Sequence, residues 1–215
     1  YWIRMFYCYP NSFTDEVLEV MASDPRFCRY LDMPFQHISD PVLKKMNRKI
    51  TRKEIEANMA RVRRQLPDVA WRTTFIVGFP TETDQDFEEL VDFVSEGHFQ
   101  HLGIFLYSDE DNIRSSKFGD PIPISLKEER KNRLMEIQQK ISREHHKKMV
   151  GSLQQVLVEG FSSETDLLLE GRNQYQGPEV DGVVYINEGN ATSAGFHQVE
   201  ITEAHEYDLV GKILN

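Results

Sequence analysis

The sequence predicts an α/β chain. Part of a parallel (β/α) barrel, or a small open sheet, comes first. A small antiparallel five-stranded β-barrel of the oligonucleotide/oligosaccharide-binding kind follows. Three observations predict this. Up to about residue 149, apolar strand-like runs alternate with amphipathic helical stretches, a pattern that requires a parallel sheet with right-handed crossovers. From Gly151 the rhythm changes to short strands split by Gly, Asn and Asp, about five of them in roughly 65 residues. The charge changes at the same place: residues 1–150 carry 23 Lys and Arg against 24 Asp and Glu, whereas residues 151–215 carry 2 against 11. The expected domains are 1–149 and 150–215.

Each element has a local reason. Ile3 to Tyr9 is a nearly continuous apolar strand stopped by Pro10. Thr14 caps a short helix with the stripe Val17, Leu18 and Met21. Tyr30 to Met33 is a short strand stopped by Pro34. Asp40 stands at an N-cap with Pro41 at the first helical position. Thr51 and Glu54 form a capping box, and Ile55, Met59, Val62 and Leu66 make the stripe behind it. Ala70 to Val77 is a strand. Thr83 caps the next helix, with the stripe Phe87, Leu90, Val91 and Val94. "HLGIFLYS" is the fourth strand. "SLKE" opens a long helix at Ser125, with Leu134, Ile137 and Ile141 as its buried line and Met149 as a candidate end to it. Four strands do not close a barrel.

Composition narrows the function. The chain has 215 residues, 40% hydrophobic and 28% charged, the range of a soluble globular protein. No apolar run reaches the roughly 18 residues needed to cross a bilayer. The opening "YWIRMFYCYP" lacks Met and reads as a strand from its first residues, so the sequence predicts a piece of a longer protein. Cys8 and Cys28 match no zinc or iron–sulfur spacing and read as buried thiols. No metal site is expected within the chain. The acidic tail repels phosphate backbones and suits a basic partner.

In parallel α/β folds, ligands sit at the carboxyl ends of the strands. Those ends are Tyr9-Pro10, Met33 to His37, Val77 to Pro80, and Tyr107-Ser108. Gln36-His37 after a Pro-bent strand end is a polar candidate, and Gly78 lets a ligand approach the backbone. A phosphate loop is excluded, since no Gly-rich run or following Lys is present. Glu82, Asp84 and Asp86 already serve the positive end of the next helix, so the ligand there is expected to be neutral or cationic. His37 reads as a hydrogen-bonding residue, His98 and His101 as surface residues, and His145-His146 as the end of the long helix. No nucleophile elbow or Ser-His-Asp order is evident.

Three stretches, "YLDMPFQHISDPVLKKMNR", "RTTFIVGFPTETDQDFEEL" and "FLYSDEDN", closely resemble the radical S-adenosylmethionine methylthiotransferases. "EGRNQYQGPEVDGVVYIN" and "YDLVGKIL" resemble their TRAM domain. One branch of that family modifies an adenosine in tRNA, the other an aspartate of small-subunit ribosomal protein twelve. "DMPFQHISD" and "PEVDG" look like the ribosomal-protein branch, and the acidic tail agrees with it. The alternatives are the tRNA branch, or a module that only docks its substrate. The resemblance implies a radical-SAM partial barrel plus TRAM and a cytoplasmic setting. It implies S-adenosylmethionine and two [4Fe-4S] clusters in the parent, one held by CxxxCxxC. It also implies a deoxyadenosyl radical that takes hydrogen from the aspartate β-carbon.

This chain has no CxxxCxxC motif, so neither a cluster nor turnover is expected of it alone. The resemblance implies cofactor contacts at Gln36, Arg72, Thr74, Ile76, Gly78 and Tyr107. Arg72 meets either a cofactor carboxylate or an ion-pair partner inside the barrel. The related pattern GxIxGxxE reads Thr74-x-Ile76-x-Gly78 here, with Thr81 where Glu is expected and Glu82 one step later. Glu159, Glu170, Glu179 and Asp181 of TRAM are the expected contacts for the basic ribosomal protein. Neither tRNA nor a membrane is an expected partner. The edge at Ile3 to Tyr9 predicts a non-native dimer.

Overall fold

A computed structural model describes residues 1–110, 115–189 and 194–214. The last two residues of "FLYSDEDN" therefore lie outside the described residues. Contacts divide the chain into two compact units, one made of Tyr1–Arg4, Arg26–Tyr30 and Gln139–Asn215, the other of Met5–Pro25 and Leu31–Gln138.

The parallel part follows the expected order. It comprises β1 (Ile3–Met5), α1 (Asp15–Ser23), β2 (Phe27–Asp32), α2 (Asp40–Lys45), α3 (Arg52–Gln65), β3 (Ala70–Val77), α4 (Asp84–Ser95), β4 (His101–Leu106) and α5 (Ile124–Lys147). The strands form one four-stranded sheet in the order β1-β2-β3-β4. β3 and β4 pair in parallel, Arg72 opposite His101 and Ile76 opposite Phe105. Trp71, Thr73, Phe75 and Val77 are fully buried on one face of β3. Arg72, Thr74 and Ile76 therefore lie on the other face, as strand alternation requires. Both expected capping boxes form, Thr51 with Glu54 and Thr83 with Asp86. Among the described residues no helix is long and apolar enough to cross a membrane.

Four local expectations are corrected. β1 stops at Met5, because Tyr7 turns to φ 55° and its N–H donates to Asp32 Oδ2 at 2.9 Å. α2 is capped by Ser39, one residue before the expected Asp40. α5 begins at Ile124, directly after Pro123, and Ser125 lies inside it. Its buried line is also polar: Lys127, Arg130, Leu134, Gln138, Ser142 and His146 are buried at spacings of three and four. Hydrophobic periodicity could not find that line, because most of its members are held by polar partners. Gln138 Nε2, for example, donates to Phe99 O at 3.0 Å.

The second architecture is a closed five-stranded barrel of β5 (Leu153–Phe161), β6 (Leu169–Asn173), β7 (Val184–Glu188), β8 (Gly195–Ala204) and β9 (Leu209–Ile213), in the order β5-β6-β7-β9-β8. It is mixed rather than wholly antiparallel, because β7 and β9 run parallel. Its core is Val156, Val158, Val184, Ile186, Val199, Ile201, Leu209 and Ile213, one inward face along each contributing strand. A β-carbon at Gly211 would lie 2.7 Å from Glu200 O, so β8 and β9 approach too closely there for a side chain.

Candidate functional site

The carboxyl ends of the strands carry a cavity of about 560 Å³. After Pro34 the chain returns to the sheet at Gln36, which forms a single parallel bridge to Phe75. Gln36 N donates to Thr74 O at 2.9 Å, and Ile76 N donates to Gln36 O at 2.8 Å. Gln36 does this at φ 74°, a strained conformation for a residue with a side chain. Gln36, Ile76, Phe79 and Tyr107 line the cavity, with Lys45 and Arg48 among its other walls. Phe79 and Tyr107 meet edge to face at 5.2 Å.

Three of the six expected cofactor residues thus share this cavity: Gln36, Ile76 and Tyr107. The other three stand elsewhere. Arg72 Nη1 is 2.9 Å from Asp32 Oδ1, and Asp32 is fully buried, so the ion-pair reading describes it. Thr74 lies against Gly103, whose missing side chain leaves room beside both Thr74 Oγ1 and Arg72 Nη2. Gly78, at φ 75°, is covered by the stem of Lys127; a β-carbon there would fall inside contact distance of Lys127 Cγ and 2.7 Å from Cδ.

Lys127, Arg130 and Asp120, which sequence reasoning missed, hold this end of the sheet together with Glu82. Lys127 is 2% exposed, and its Nζ donates to Tyr107 O at 2.8 Å and to the two Asp120 oxygens at 2.5 and 2.6 Å. Glu82 accepts from Gly78 N at 2.6 Å and Phe79 N at 3.2 Å, and pairs with Arg130 Nη1 at 2.9 Å. Burial pushes the Glu82 carboxyl up from its ordinary range, while Arg130 and the two backbone amides pull it down. Asp86 accepts from Ser39 Oγ and from Thr83 N. The acidic first turn therefore faces its own backbone and Arg130, and it does not set the sign of the cavity. Among the described lining residues, Lys45 and Arg48 carry its charge. A Glu one step after the expected position was the available signal, and its value lay in the two amides it covers.

His37 is fully buried. Its Nδ1 accepts from Ser39 N at 3.0 Å, and its Nε2 has no hydrogen-bond partner among the described residues. Burial pushes its pKa down to about 4, against an upward pull from Asp86 and with a downward push from Arg130. It is a neutral hydrogen-bond acceptor at a strand end. Cys8 and Cys28 are free and buried.

The barrel carries a second cavity of about 500 Å³. Glu159, Glu170, Glu179 and Asp181, the four expected partner contacts, all line it together with Arg172. Glu159 pairs with Arg172, and Asp181 Oδ2 accepts from Tyr30 Oη at 2.7 Å and Gly177 N at 2.7 Å.

Comparison with known proteins places both parts. Residues 2–94 match the model of the radical SAM superfamily, and residues 150–214 match the TRAM domain. The chain is 44% identical over 214 residues to "Ribosomal protein uS12 methylthiotransferase RimO" of Geobacter sulfurreducens, covering 100% of this chain and 48% of that relative. It is 49% identical over 213 residues to the protein of the same description from Bdellovibrio bacteriovorus, covering 99% and 47%. The chain thus spans about half the length of the curated relatives it matches. Among solved structures, coproporphyrinogen III oxidase from Escherichia coli, described as a radical SAM enzyme, matches 80% of this chain and 46% of its own at a TM-score of 0.51 and 16% identity, a likeness of fold alone. The chain thus joins a segment that matches the radical SAM superfamily to one that matches the TRAM domain, and along its whole length it is similar to about half of proteins described as ribosomal protein uS12 methylthiotransferases.

Proposed function

We propose that this chain forms the cofactor-facing wall and the docking domain of an enzyme that methylthiolates the β-carbon of an aspartate in ribosomal protein uS12. Residues 1–149 supply the wall and 150–215 the TRAM domain. The observation that carries the reading is the cavity at the strand ends, lined by Gln36, Ile76, Phe79 and Tyr107, in a chain that matches relatives of that description over its whole length. A cytoplasmic setting goes with that substrate.

The residues fit S-adenosylmethionine. Ile76, Phe79 and Tyr107 offer an apolar and aromatic bed for an adenine ring. Gln36 offers amide donors and an acceptor to a polar edge. When bound, the cofactor supplies a radical for hydrogen abstraction and the methyl chemistry of the reaction. The chain's residues bind it and keep the bed dry, while Glu82 and Lys127 fix the strand ends that form the bed. An iron–sulfur cluster has no such fit here. Among the described residues no group of three or more His, Cys, Asp or Glu could hold a metal ion, and the whole sequence has two cysteines. The 215-residue chain alone is therefore expected neither to bind a cluster nor to turn over. Anaerobic iron–sulfide reconstitution that left a stoichiometric cluster on it would refute this.

The acidic TRAM cavity, with Glu159, Glu170, Glu179 and Asp181, is the proposed docking surface for uS12, a basic partner. Two measurements test the reading. Equilibrium dialysis against S-adenosylmethionine should show one site that Ile76→Trp blocks by filling the cavity; unchanged binding to that variant would remove the cofactor assignment. Titration with uS12 and with tRNA should show salt-sensitive binding of the protein alone. Tighter binding of tRNA would favour the tRNA branch.

A further inference from the structure

The cavity at the strand ends has a charge that the cofactor bed does not explain. Lys45 and Arg48 line it, and among the described residues every other lining residue is neutral. Two cations with no carboxylate among the described lining residues are unexpected in a chain of net charge −10. Four carboxylates at this end of the sheet are committed elsewhere: Glu82 and Asp84 to Arg130, Asp86 to Ser39 and Thr83, and Asp120 to Lys127. Among the described residues, the charged ends of the two cations meet aromatic faces. Lys45 Nζ is 5.6 Å from the centroid of Phe118, and the Arg48 guanidinium is 5.6 Å from that of Tyr9. Arg48 is half-buried, and burial holds its guanidinium below the ordinary arginine range.

Helix-end electrostatics account for only part of this. α2 ends in Lys44 and Lys45, where positive charge suits the helix dipole. Arg48 lies beyond the helix. Asn47, at φ 59°, turns the chain between the two cations, and both line the same cavity. One ammonium and one planar guanidinium at an apolar cavity suit a carboxylate, which the guanidinium can take in two parallel hydrogen bonds.

We propose that Lys45 and Arg48 form a carboxylate subsite of this cavity. Its ligand is the carboxylate at the amino-acid end of the cofactor or that of the aspartate side chain being modified. The proposal rests on the reading of the cavity as the cofactor pocket.

Titration calorimetry of the 215-residue chain at low salt tests it with two ligand pairs. One pair is S-adenosylmethionine and its decarboxylated form. The other is a peptide spanning the modified aspartate of uS12 and the same peptide with asparagine. Lys45→Met and Arg48→Met should each weaken one carboxylate ligand about tenfold, the scale of a lost charge-assisted hydrogen bond. Its carboxylate-free counterpart should bind wild type and variants alike. The ligand that loses affinity identifies the source. Arg48→Lys should keep part of the affinity, and Lys44→Met, exposed and outside the cavity, should lose none. If both carboxylate ligands bind Lys45→Met and Arg48→Met as tightly as wild type, the subsite is wrong. Lys45 is exposed, so its variant decides even if Arg48→Met fails to fold. The two failures are distinguishable. If wild type binds 5′-methylthioadenosine and the variants bind every ligand equally, only the subsite falls. If wild type binds neither adenosyl compound, the cofactor pocket falls and the subsite with it.

Discussion

Two cavities of similar size, about 560 and about 500 Å³, carry opposite charge and are built in opposite ways. The one at the strand ends has an apolar bed and a positive rim. Behind it stand buried ions that never reach it: Glu82 and Arg130 are 5% and 3% exposed, and Lys127 is 2% exposed. The one on the barrel is walled by the charges themselves, with Glu159 and Glu179 exposed. In the first, the buried charge fixes the backbone, and Lys45 and Arg48 alone among the described lining residues bring charge to the surface. In the second, charge is the surface. Substitutions should therefore cost stability in the first region and partner affinity in the second, a contrast that can be broken one residue at a time.

Arg130→Met should have the largest effect. It removes the partner of a fully buried carboxylate that still holds the amides of Gly78 and Phe79. Stranding one member of a buried ion pair costs about 3–5 kcal/mol. Urea denaturation should show a lower midpoint of that size. The double variant Arg130→Met/Glu82→Gln should recover part of it, because no buried charge is then left. A loss below about 1 kcal/mol would mean that these charges are not structural, and the contrast would fail at its strongest point.

Gly78→Ala comes next. The residue sits at φ 75°, and its missing β-carbon is what admits the Lys127 stem, which is pinned at its far end by Asp120 and Tyr107 O. Left-handed strain adds about 1 kcal/mol and overpacking about 1–3 more. A loss of roughly 3 kcal/mol is expected, with Lys127→Ala in the same chain relieving the overpacking share. If the double variant is no better than the sum of its parts, Lys127 is not the obstacle.

His37 gives the pH dependence of the same region. Its folded pKa, about 4, lies below the ordinary 6.5, so the unfolded chain binds the proton more readily. Its contribution is complete above about pH 6.5 and is lost as pH falls toward 4. At about 1.4 kcal/mol per unit the full loss is about 3 kcal/mol. Glu82, whose carboxyl is raised, acts with the opposite sign over an overlapping range. The measurable quantity is therefore the stability of wild type minus that of His37→Asn, which keeps an acceptor for Ser39 N. This difference should shrink as pH falls from 7 to 4.5; a constant difference would show that His37 is not held neutral by burial.

What was legible in the sequence divides along the same line. β3 was found at its observed bounds, and the caps at Thr51 and Thr83 formed as expected, because each signal lies within a few residues of its effect. The four carboxylates of the barrel cavity were legible because they stand among short strands with almost no basic residues to neutralise them. The strand-end cavity was half legible. Gln36, Ile76 and Tyr107 followed from strand ends and family resemblance. Glu82, Asp84 and Asp86 were read as serving the helix dipole and repelling an anion, whereas Arg130, 48 residues beyond Glu82 in sequence, takes up Glu82. Lys127 and Arg130 left no trace in the apolar pattern of α5. Long-range pairing of polar groups has no period.

The smallest effect on stability, and the sharpest test of the contrast, belongs to the barrel. Glu170→Gln with Glu179→Gln removes two of the four carboxylates of the acidic cavity and leaves the Glu159–Arg172 pair and the Asp181 hydrogen bonds in place. Neither glutamate serves the barrel core, which is built from valines, isoleucines and a leucine. Surface changes of this kind move stability by no more than about 0.5 kcal/mol. Binding should respond instead. Affinity for uS12 should fall several-fold at low salt, mainly through a slower association rate, and the difference from wild type should fade as salt rises. Serving as its own control, S-adenosylmethionine binding should be unchanged. If the double variant loses stability but binds uS12 as before, the acidic cavity is structural and the two regions are alike after all. If it binds more weakly at every salt concentration by the same factor, contact rather than field is what the carboxylates supply, and the docking surface narrows to those two residues.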